Sequence, residues 1–364
     1  MRDRFIEING RRVGPGEPAY LVAELSANHN HSIDRAIDTI RAAKAAGADA
    51  IKLQTYTADT LTIDCDAEPF RVRGTLWDGR TLYDLYSEAF TPWEWHPRLR
   101  DVAAEEGLDF FSTPFDDTAV DFLEELGVVA HKVASFENVD LPLLRKVAST
   151  GKPLIVSTGM ATLAEVDEAV QTVRGAGGTQ LALLKCTSAY PCTPDTMNLR
   201  TIPHLSEAFG VPVGLSDHSM EAAVPAVAVT LGACIVEKHF TLDRAAGGPD
   251  SAFSLEPAEF RAMVNAVRVA EQALGEVRYG GGPAEEGSKA FRRSLFVVGD
   301  VRAGEAFTPR NVRSIRPGYG LHTRHLEQVM GRVASRDVAR GTPLDWDLVA
   351  GSGGADDNGK NRRA

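Results

Sequence analysis

Short apolar runs recur eight times along the chain, and each is followed by a segment of helical length. The runs fall at 20–23, 50–53, 108–111, 128–133, 154–156, 181–184, 211–215 and 234–236. They are nearly continuous in aliphatic residues rather than alternating, as strands covered on both faces require. The segments between them include 33–46, 93–106, 118–126, 141–149, 163–174, 199–209 and 220–232, with 256–274 closing the series. Those stretches repeat their apolar residues at three- and four-residue spacing, the signature of amphipathic helices. Strand and helix alternating in this way predict a (β/α)8 TIM barrel, whose strands all exit onto one face. A doubly wound open sheet is the other fold of this pattern, but no GxGxxG follows the first run.

What lies outside the beat defines the domain organisation. Residues 5–18 alternate apolar and polar around Asn9-Gly10, which predicts a hairpin able to plug the bottom of the barrel. The barrel domain is expected to span 1–275. Residues 276–290 are rich in glycine and charge and read as a linker. A second unit, 291–350, carries a weak internal echo: Asp300-Val301-Arg302-Ala303-Gly304 and Asp337-Val338-Ala339-Arg340-Gly341. That echo predicts a small, mostly irregular β module with internal pseudo-symmetry. A unit of roughly 60 residues has little core of its own, so it is expected to lean on another surface. The tail 351–364 has no apolar residue beyond alanine and is expected to be disordered. The segment 55–89 is long for a connection between strand and helix, and long loops at the active face bind or cover something.

Composition excludes several classes. The formal net charge is -11, so there is no basic footprint for nucleic acid. The four cysteines, Cys65, Cys186, Cys192 and Cys234, form no CxxC pair, against a zinc ribbon or redox motif. The first ten residues contain no apolar stretch of signal-peptide length, and no apolar run is long enough to span a membrane. A cytoplasmic enzyme is the expectation.

The polar residues at the strand ends carry the chemistry. Two apolar runs close in Ser216-Asp217-His218 and Glu237-Lys238-His239, with Asp250 on the next loop. His218 and His239 would face each other across one mouth. Neutral imidazoles there can hold a divalent metal with positions left open for substrate. Lys52 and Lys132 lie within predicted strands, where an ammonium group is costly unless it meets an anion. With hydroxyls of Thr113, Ser135, Ser157 and Ser188 nearby, they read as a phosphate and carboxylate cradle. Pairing of the lysines with Glu24 and Glu137 is the purely structural alternative. A Schiff-base aldolase using Lys132 or Lys185 is a third reading.

Nine stretches occur in one order: SANHN, KLQTY, STPFD, KVASFE, STGMA, KCTSAYP, GLSDH, EKHF and GGPDS. Together they resemble the sialic acid synthase family over residues 5–350, and SIRPGYGL at 314–321 resembles that family's C-terminal antifreeze-like (SAF) domain. GTLWDG, TPWEWH and SIRPGYGL are most similar to its pseudaminic acid branch. The N-acetylneuraminate branch usually has Asn at the position of Ser188, and NHNG where this chain reads Asn28-His29-Asn30-His31.

The resemblance implies a metal-dependent transferase that joins phosphoenolpyruvate to an N-acetylated amino sugar and releases phosphate by C–O cleavage. It implies manganese on His218 and His239, with magnesium or cobalt as alternatives, and Glu24 acting beside the reacting carbon. By the same resemblance Lys52, Thr113, Lys132, Ser135, Ser157 and Ser188 hold phosphoenolpyruvate. Gln54, Glu137, Tyr190, Asp250 and Arg316 line the sugar side. Arg316 is expected to come from the partner in a swapped homodimer. The sugar is expected to be the trideoxy diacetamido substrate of the pseudaminic branch, with N-acetylmannosamine or the legionaminic counterpart as alternatives. A non-enzymatic carbohydrate- or ice-binding role for the second unit would leave the charged barrel mouth unexplained.

Overall fold

Asn9 and Gly10 adopt left-handed backbone, with φ of 48° and 77°. That turn folds β1 (Ile6–Ile8) onto β2 (Arg11–Val13), pairing Ile6 with Val13. In this computed structural model, which describes residues 4–351, the hairpin closes the end of the barrel where the strands begin. Ile6, Ile8 and Val13 are buried in the main core, Glu7 N donates to Gln180, and Asn9 donates to Asp109.

The barrel strands are β3 (Tyr20–Glu24), β4 (Ala50–Thr55), β5 (Asp109–Pro114), β6 (His131–Val133), β7 (Leu154–Ser157), β8 (Leu181–Cys186), β9 (Val213–Asp217) and β10 (Ile235–His239). All pair in parallel, and β10 returns to β3 to close the ring. The fold is the TIM barrel that the alternation predicts. Local chemistry sets the helix ends. Ser32 accepts from Arg35 N to start Ile33–Ala46, and Gly47, at φ 99°, ends it. Thr162 and Glu165 form a reciprocal capping box at the head of Leu163–Gly175.

Several bounds differ from expectation. The run 128–133 contributes only three strand residues, His131–Val133: Val128 N still bonds back to Leu123 O of the preceding helix, although Val129 N already reaches Phe110 O of β5. Ser135 and Glu137 therefore lie in the turn beyond β6, not on the strand. Ser112, Thr113 and Pro114 belong to β5 itself. The helix expected over 220–232 is shorter, Ala223–Thr230, because Asp217 and Ser219 side chains accept the amides of Ser219 and Glu221 instead. No helix among the described residues is long and apolar enough to cross a membrane.

The chain divides after Gly275. The second unit begins at Glu276, and residues 283–290, expected to belong to a linker, lie in a 3-10 helix, Pro283–Phe291. Proline at its start and Glu285 accepting from Gly282 N favour that turn over open coil. β11 (Ser294–Val297) pairs antiparallel with β12 (Val312–Ile315). The unit has a buried cluster of its own around Leu295, Val297, Phe307, Val312 and Leu344. The sequence echo is a structural one. Val301 and Val338 exchange backbone bonds of 2.9 and 2.8 Å. Asp337 accepts from Ala303 N, and Asp300 from Arg340 N, each at 2.7 Å, so each repeat caps the other. The expected disordered tail falls, after Gly351, outside the described residues.

Candidate active site

Side chains alternate along each strand, so only every second residue faces the barrel interior. At the exit level these are Glu24 of β3, Lys52 of β4, Thr113 of β5, Lys132 of β6, Ser157 of β7, Ser216 of β9 and Glu237 of β10. Register places Glu24 beside Lys52 on one side and His239 on the other. Every one of these groups is buried.

Two lysines and two glutamates compensate one another. Lys52 Nζ contacts Glu24 Oε2, donates to Thr113 Oγ1 at 3.2 Å and lies 3.7 Å from Glu237. Lys132 Nζ donates to Ser157 Oγ at 2.7 Å and lies 3.6 Å from Glu237. Glu237 therefore bridges both cations. It was not among the expected site residues, although the signal was present. His239 faces inward, so the residue two before it on the same strand must as well, whereas Lys238 turns outward to Asp217 at 2.8 Å.

The glutamates differ in proton affinity. Burial pushes Glu24 up to about 7, against the pull of Lys52. Glu237 is equally buried, but Lys132 and Lys52 outweigh that burial and hold its carboxyl below the usual range. Environments that push two carboxyls apart separate a permanent anion from a group able to exchange a proton near neutrality. Burial lowers the affinity of Lys132 for its proton, and Lys185 leaves the ring altogether, donating to Cys186 O at 2.6 Å.

The hydroxyl side of the cradle forms around a glycine. Ser135 Oγ accepts from Gly159 N at 3.1 Å, and a Cβ on Gly159 would lie 2.2 Å from Ser188 Oγ and 2.6 Å from Ser135 Oγ. Gly159 is a second residue missed from sequence. Its constraint comes from two other loops and leaves no local mark.

His218 and His239 meet as expected, their ring centroids 5.3 Å apart. His218 Nδ1 donates to Thr187 O at 3.0 Å, which orients the ring; against its burial, Cys186 and that carbonyl raise its affinity for a proton. Burial, with His218 and the nearby lysines, holds His239 neutral, and its buried Nδ1 has no hydrogen-bond partner among the described residues. An orphaned imidazole nitrogen beside an oriented one fits a divalent ion. Among the described residues, no group of three or more His, Cys, Asp or Glu is placed to hold a metal ion. Burial lowers His29 to about 4, and its nitrogens bind Thr91 Oγ1 and His31 N.

Beside the pair opens a cavity of about 350 Å3. Gln54, Glu137, Tyr190 and Asp250, four of the expected sugar contacts, line it together with His239. Glu137 Oε2 has no hydrogen-bond partner among the described residues, and burial pushes the carboxyl up to about 7. Asp250 is held by Ser26 Oγ and by Ala27 N at 3.2 Å. A larger depression, about 690 Å3, opens near the hairpin end, between Pro15, Ile202 and Leu274, where none of these polar groups converges. Arg316, the fifth expected sugar contact, belongs to the second unit. It is exposed, its bond to Pro317 is cis, and it has no hydrogen bond or ion pair among the described residues.

Comparison with known proteins follows this geometry. A model of the NeuB family matches residues 39–279. The chain belongs to the NeuB family. A SAF domain model matches residues 292–350, the second unit. The pseudaminic acid synthase of Campylobacter jejuni subsp. jejuni strain 81-176 is 46% identical over 325 residues, covering 89% of this chain and 95% of its own. That of Helicobacter pylori is 43% identical over 334 residues, 92% and 98% of the two chains. The N,N'-diacetyllegionaminic acid synthase of Legionella pneumophila is 35% identical over 349 residues, 94% and 98%.

Proposed function

We propose that this enzyme joins phosphoenolpyruvate to 2,4-diacetamido-2,4,6-trideoxy-L-altrose, adds water and releases phosphate, making pseudaminic acid. The observation that carries the reading is the two-part site: buried Lys52 and Lys132 among hydroxyls, directly beside a cavity with Gln54, Glu137 and Asp250 in its wall. Greater identity to pseudaminic than to legionaminic acid synthases supports this sugar over the alternatives.

The residues divide the work as follows. Lys52 and Lys132, with Thr113, Ser135, Ser157 and Ser188, bind the phosphate and carboxylate of phosphoenolpyruvate by charge-assisted bonds. Gln54, Glu137, Tyr190 and Asp250 orient the open-chain sugar so that its aldehyde meets carbon 3 of phosphoenolpyruvate. Burial keeps Tyr190 a neutral donor. As that C–C bond forms, carbon 2 becomes cationic beside Glu24. With an affinity poised near neutrality, Glu24 can take a proton from the water that adds there. The tetrahedral product then loses phosphate through its C–O bond. A divalent ion on His218 and His239, manganese in preference to magnesium or cobalt, supplies Lewis acidity at the aldehyde oxygen when bound.

A homodimer belongs to the same proposal, with Arg316 of each chain reaching the other's sugar site. Its support is an unpaired guanidinium and an exposed apolar rim, Phe136, Val139, Met160 and Leu163, after β6 and β7. Cytoplasmic location, where phosphoenolpyruvate is made, completes it. The test is phosphate release with the trideoxy altrose sugar, its legionaminic counterpart and N-acetylmannosamine, using phosphoenolpyruvate labelled with oxygen-18 at the bridging position. The altrose sugar is expected to react fastest, with label in phosphate. Faster turnover of another sugar refutes the assignment, and label retained in the sugar acid refutes the mechanism.

A further inference from the structure

The proposed chemistry leaves one large feature unused, the segment between β4 and the helix His96–Glu105. Its middle is a clipped hairpin. Val72 N donates to Arg80 O at 2.8 Å and Gly79 N to Val72 O at 3.1 Å, with an antiparallel bridge between Arg71 and Thr81. Gly74 and Gly79, at φ 68° and 87°, have open space where a Cβ would stand, so their role is conformational. Between them Thr75, Leu76 and Asp78 are exposed, and only Trp77 is half-buried. Its Nε1 donates to Pro249 O at 2.9 Å, and its ring lies 5.9 Å from Tyr190 and 6.4 Å from Phe253. Those two rings pack in turn on His218 and His239, at 4.4 and 4.9 Å.

The cavity therefore has two unlike walls. One carries Gln54, Glu137, His239 and Asp250. The other is Leu61, Val72, Trp77, Leu82, Leu85 and Tyr86, all from this one segment. Apart from Thr75 and the hydroxyls of Tyr56 and Tyr86, the segment places no hydrogen-bonding side chain in the cavity lining beyond the Trp77 indole, whose N–H is engaged with Pro249 O.

We propose that the apolar wall carried by residues 61–86, with Trp77 at its centre, determines specificity by recognising the apolar edge of the sugar: a methyl where common hexoses carry a hydroxymethyl, and the methyl of an acetamido group. The inference rests on the function proposed above and assigns a part of the site that the chemistry does not require. A hydroxyl pressed against this wall loses its bonds to water without replacement. Discrimination of that kind is bounded: an apolar pocket rejects an added hydroxyl by about a hundredfold at most.

The test compares kcat/KM for the trideoxy diacetamido sugar and for N-acetylmannosamine, by phosphate release, in wild type, Trp77→Ala, Trp77→Phe and Val72→Thr. Val72→Thr keeps the shape and adds a hydroxyl to the wall. The expected result is a wild-type preference for the trideoxy sugar that falls by about tenfold or more in Trp77→Ala. In Val72→Thr it falls by a smaller factor, and Trp77→Phe keeps most of it. The KM for phosphoenolpyruvate stays within about twofold throughout, since neither Trp77 nor Val72 belongs to its cradle. An unchanged preference in Trp77→Ala overturns the proposal and leaves the function standing. Equal losses in Trp77→Phe and Trp77→Ala, with a raised phosphoenolpyruvate KM in both, also overturn it. They would mean that Trp77 acts by holding the Pro249–Asp250 loop through its indole N–H. Wild type that prefers N-acetylmannosamine overturns the function itself, an outcome read without any variant.

Discussion

Replacing Glu237 by Gln isolates the charge that bridges the two lysines of the site. Oε1 lies 3.7 Å from Lys52 and 3.6 Å from Lys132, and the carboxylate is buried. Opposite unit charges near this distance attract by about 4 kcal/mol at an effective dielectric of about 20. Removing one partner from a buried pair costs about 3–5 kcal/mol, much of it the penalty on the charge left behind. Gln preserves the shape and the contact to Ser216 Oγ at 3.4 Å, and Glu24 still faces Lys52. The loss should therefore fall at the low end of that range, about 3 kcal/mol of unfolding free energy without ligand. Phosphoenolpyruvate supplies the missing negative charge. Its stabilisation of Glu237→Gln should thus exceed its stabilisation of wild type at equal saturation, even though the variant starts less stable. Urea unfolding of both proteins with and without phosphoenolpyruvate measures the two effects. If the unliganded variant is as stable as wild type, or phosphoenolpyruvate stabilises it less, the bridging role of Glu237 is refuted.

Gly159→Ala should raise the Kd for phosphoenolpyruvate at least ~10-fold, about 1.4 kcal/mol, because its Cβ meets Ser188 and Ser135; calorimetric binding equal to wild type would show that the loops yield. His218→Ala and His239→Ala should each abolish saturable manganese binding, followed by the ion's paramagnetic resonance, while leaving urea unfolding cooperative; retention of the ion by both removes the histidines as ligands. Asp300→Ala or Asp337→Ala should destabilise the second unit by about 1–2 kcal/mol, since each leaves an amide of the other repeat uncapped, and hydrogen exchange at Arg340 or Ala303 should rise; unchanged exchange would show that the caps contribute nothing. Burial lowers His96 to about 4. An unfolded chain binds that proton near 6.5, so the contribution of His96 to stability is full above that pH and lost as pH falls toward 4. Stability against pH should accordingly be flatter in His96→Asn, by up to ~1.4 kcal/mol per pH unit between those values, and parallel curves would contradict the assignment.

The limits of the sequence reading follow from how far each constraint reaches. Strand and helix periods are local, so the barrel and both inward lysines were legible: a charge inside an apolar strand is conspicuous wherever it points. Glu237 and Lys238 are adjacent charges, and composition cannot rank them. Only parity with His239 does, and parity becomes decisive once the strand is known to close a barrel. Gly159 is less legible still, because its reason lies in Ser135 and Ser188, two loops away on either side in the chain. The long segment after β4 announced itself by length. Where its Trp77 sits depends on Pro249 O, the far end of a hydrogen bond spanning 172 residues. The DVxxG echo was visible as repetition, yet its physical content is the exchange of caps between copies, which exists only when Val301 and Val338 are paired. In each case the residue type was already in the sequence and the partner that gives it meaning was not. The chemistry of this site is therefore most recoverable where a side chain is costly by itself, as with Lys52 and Lys132. It is least recoverable where a small or neutral residue matters only through what it leaves room for.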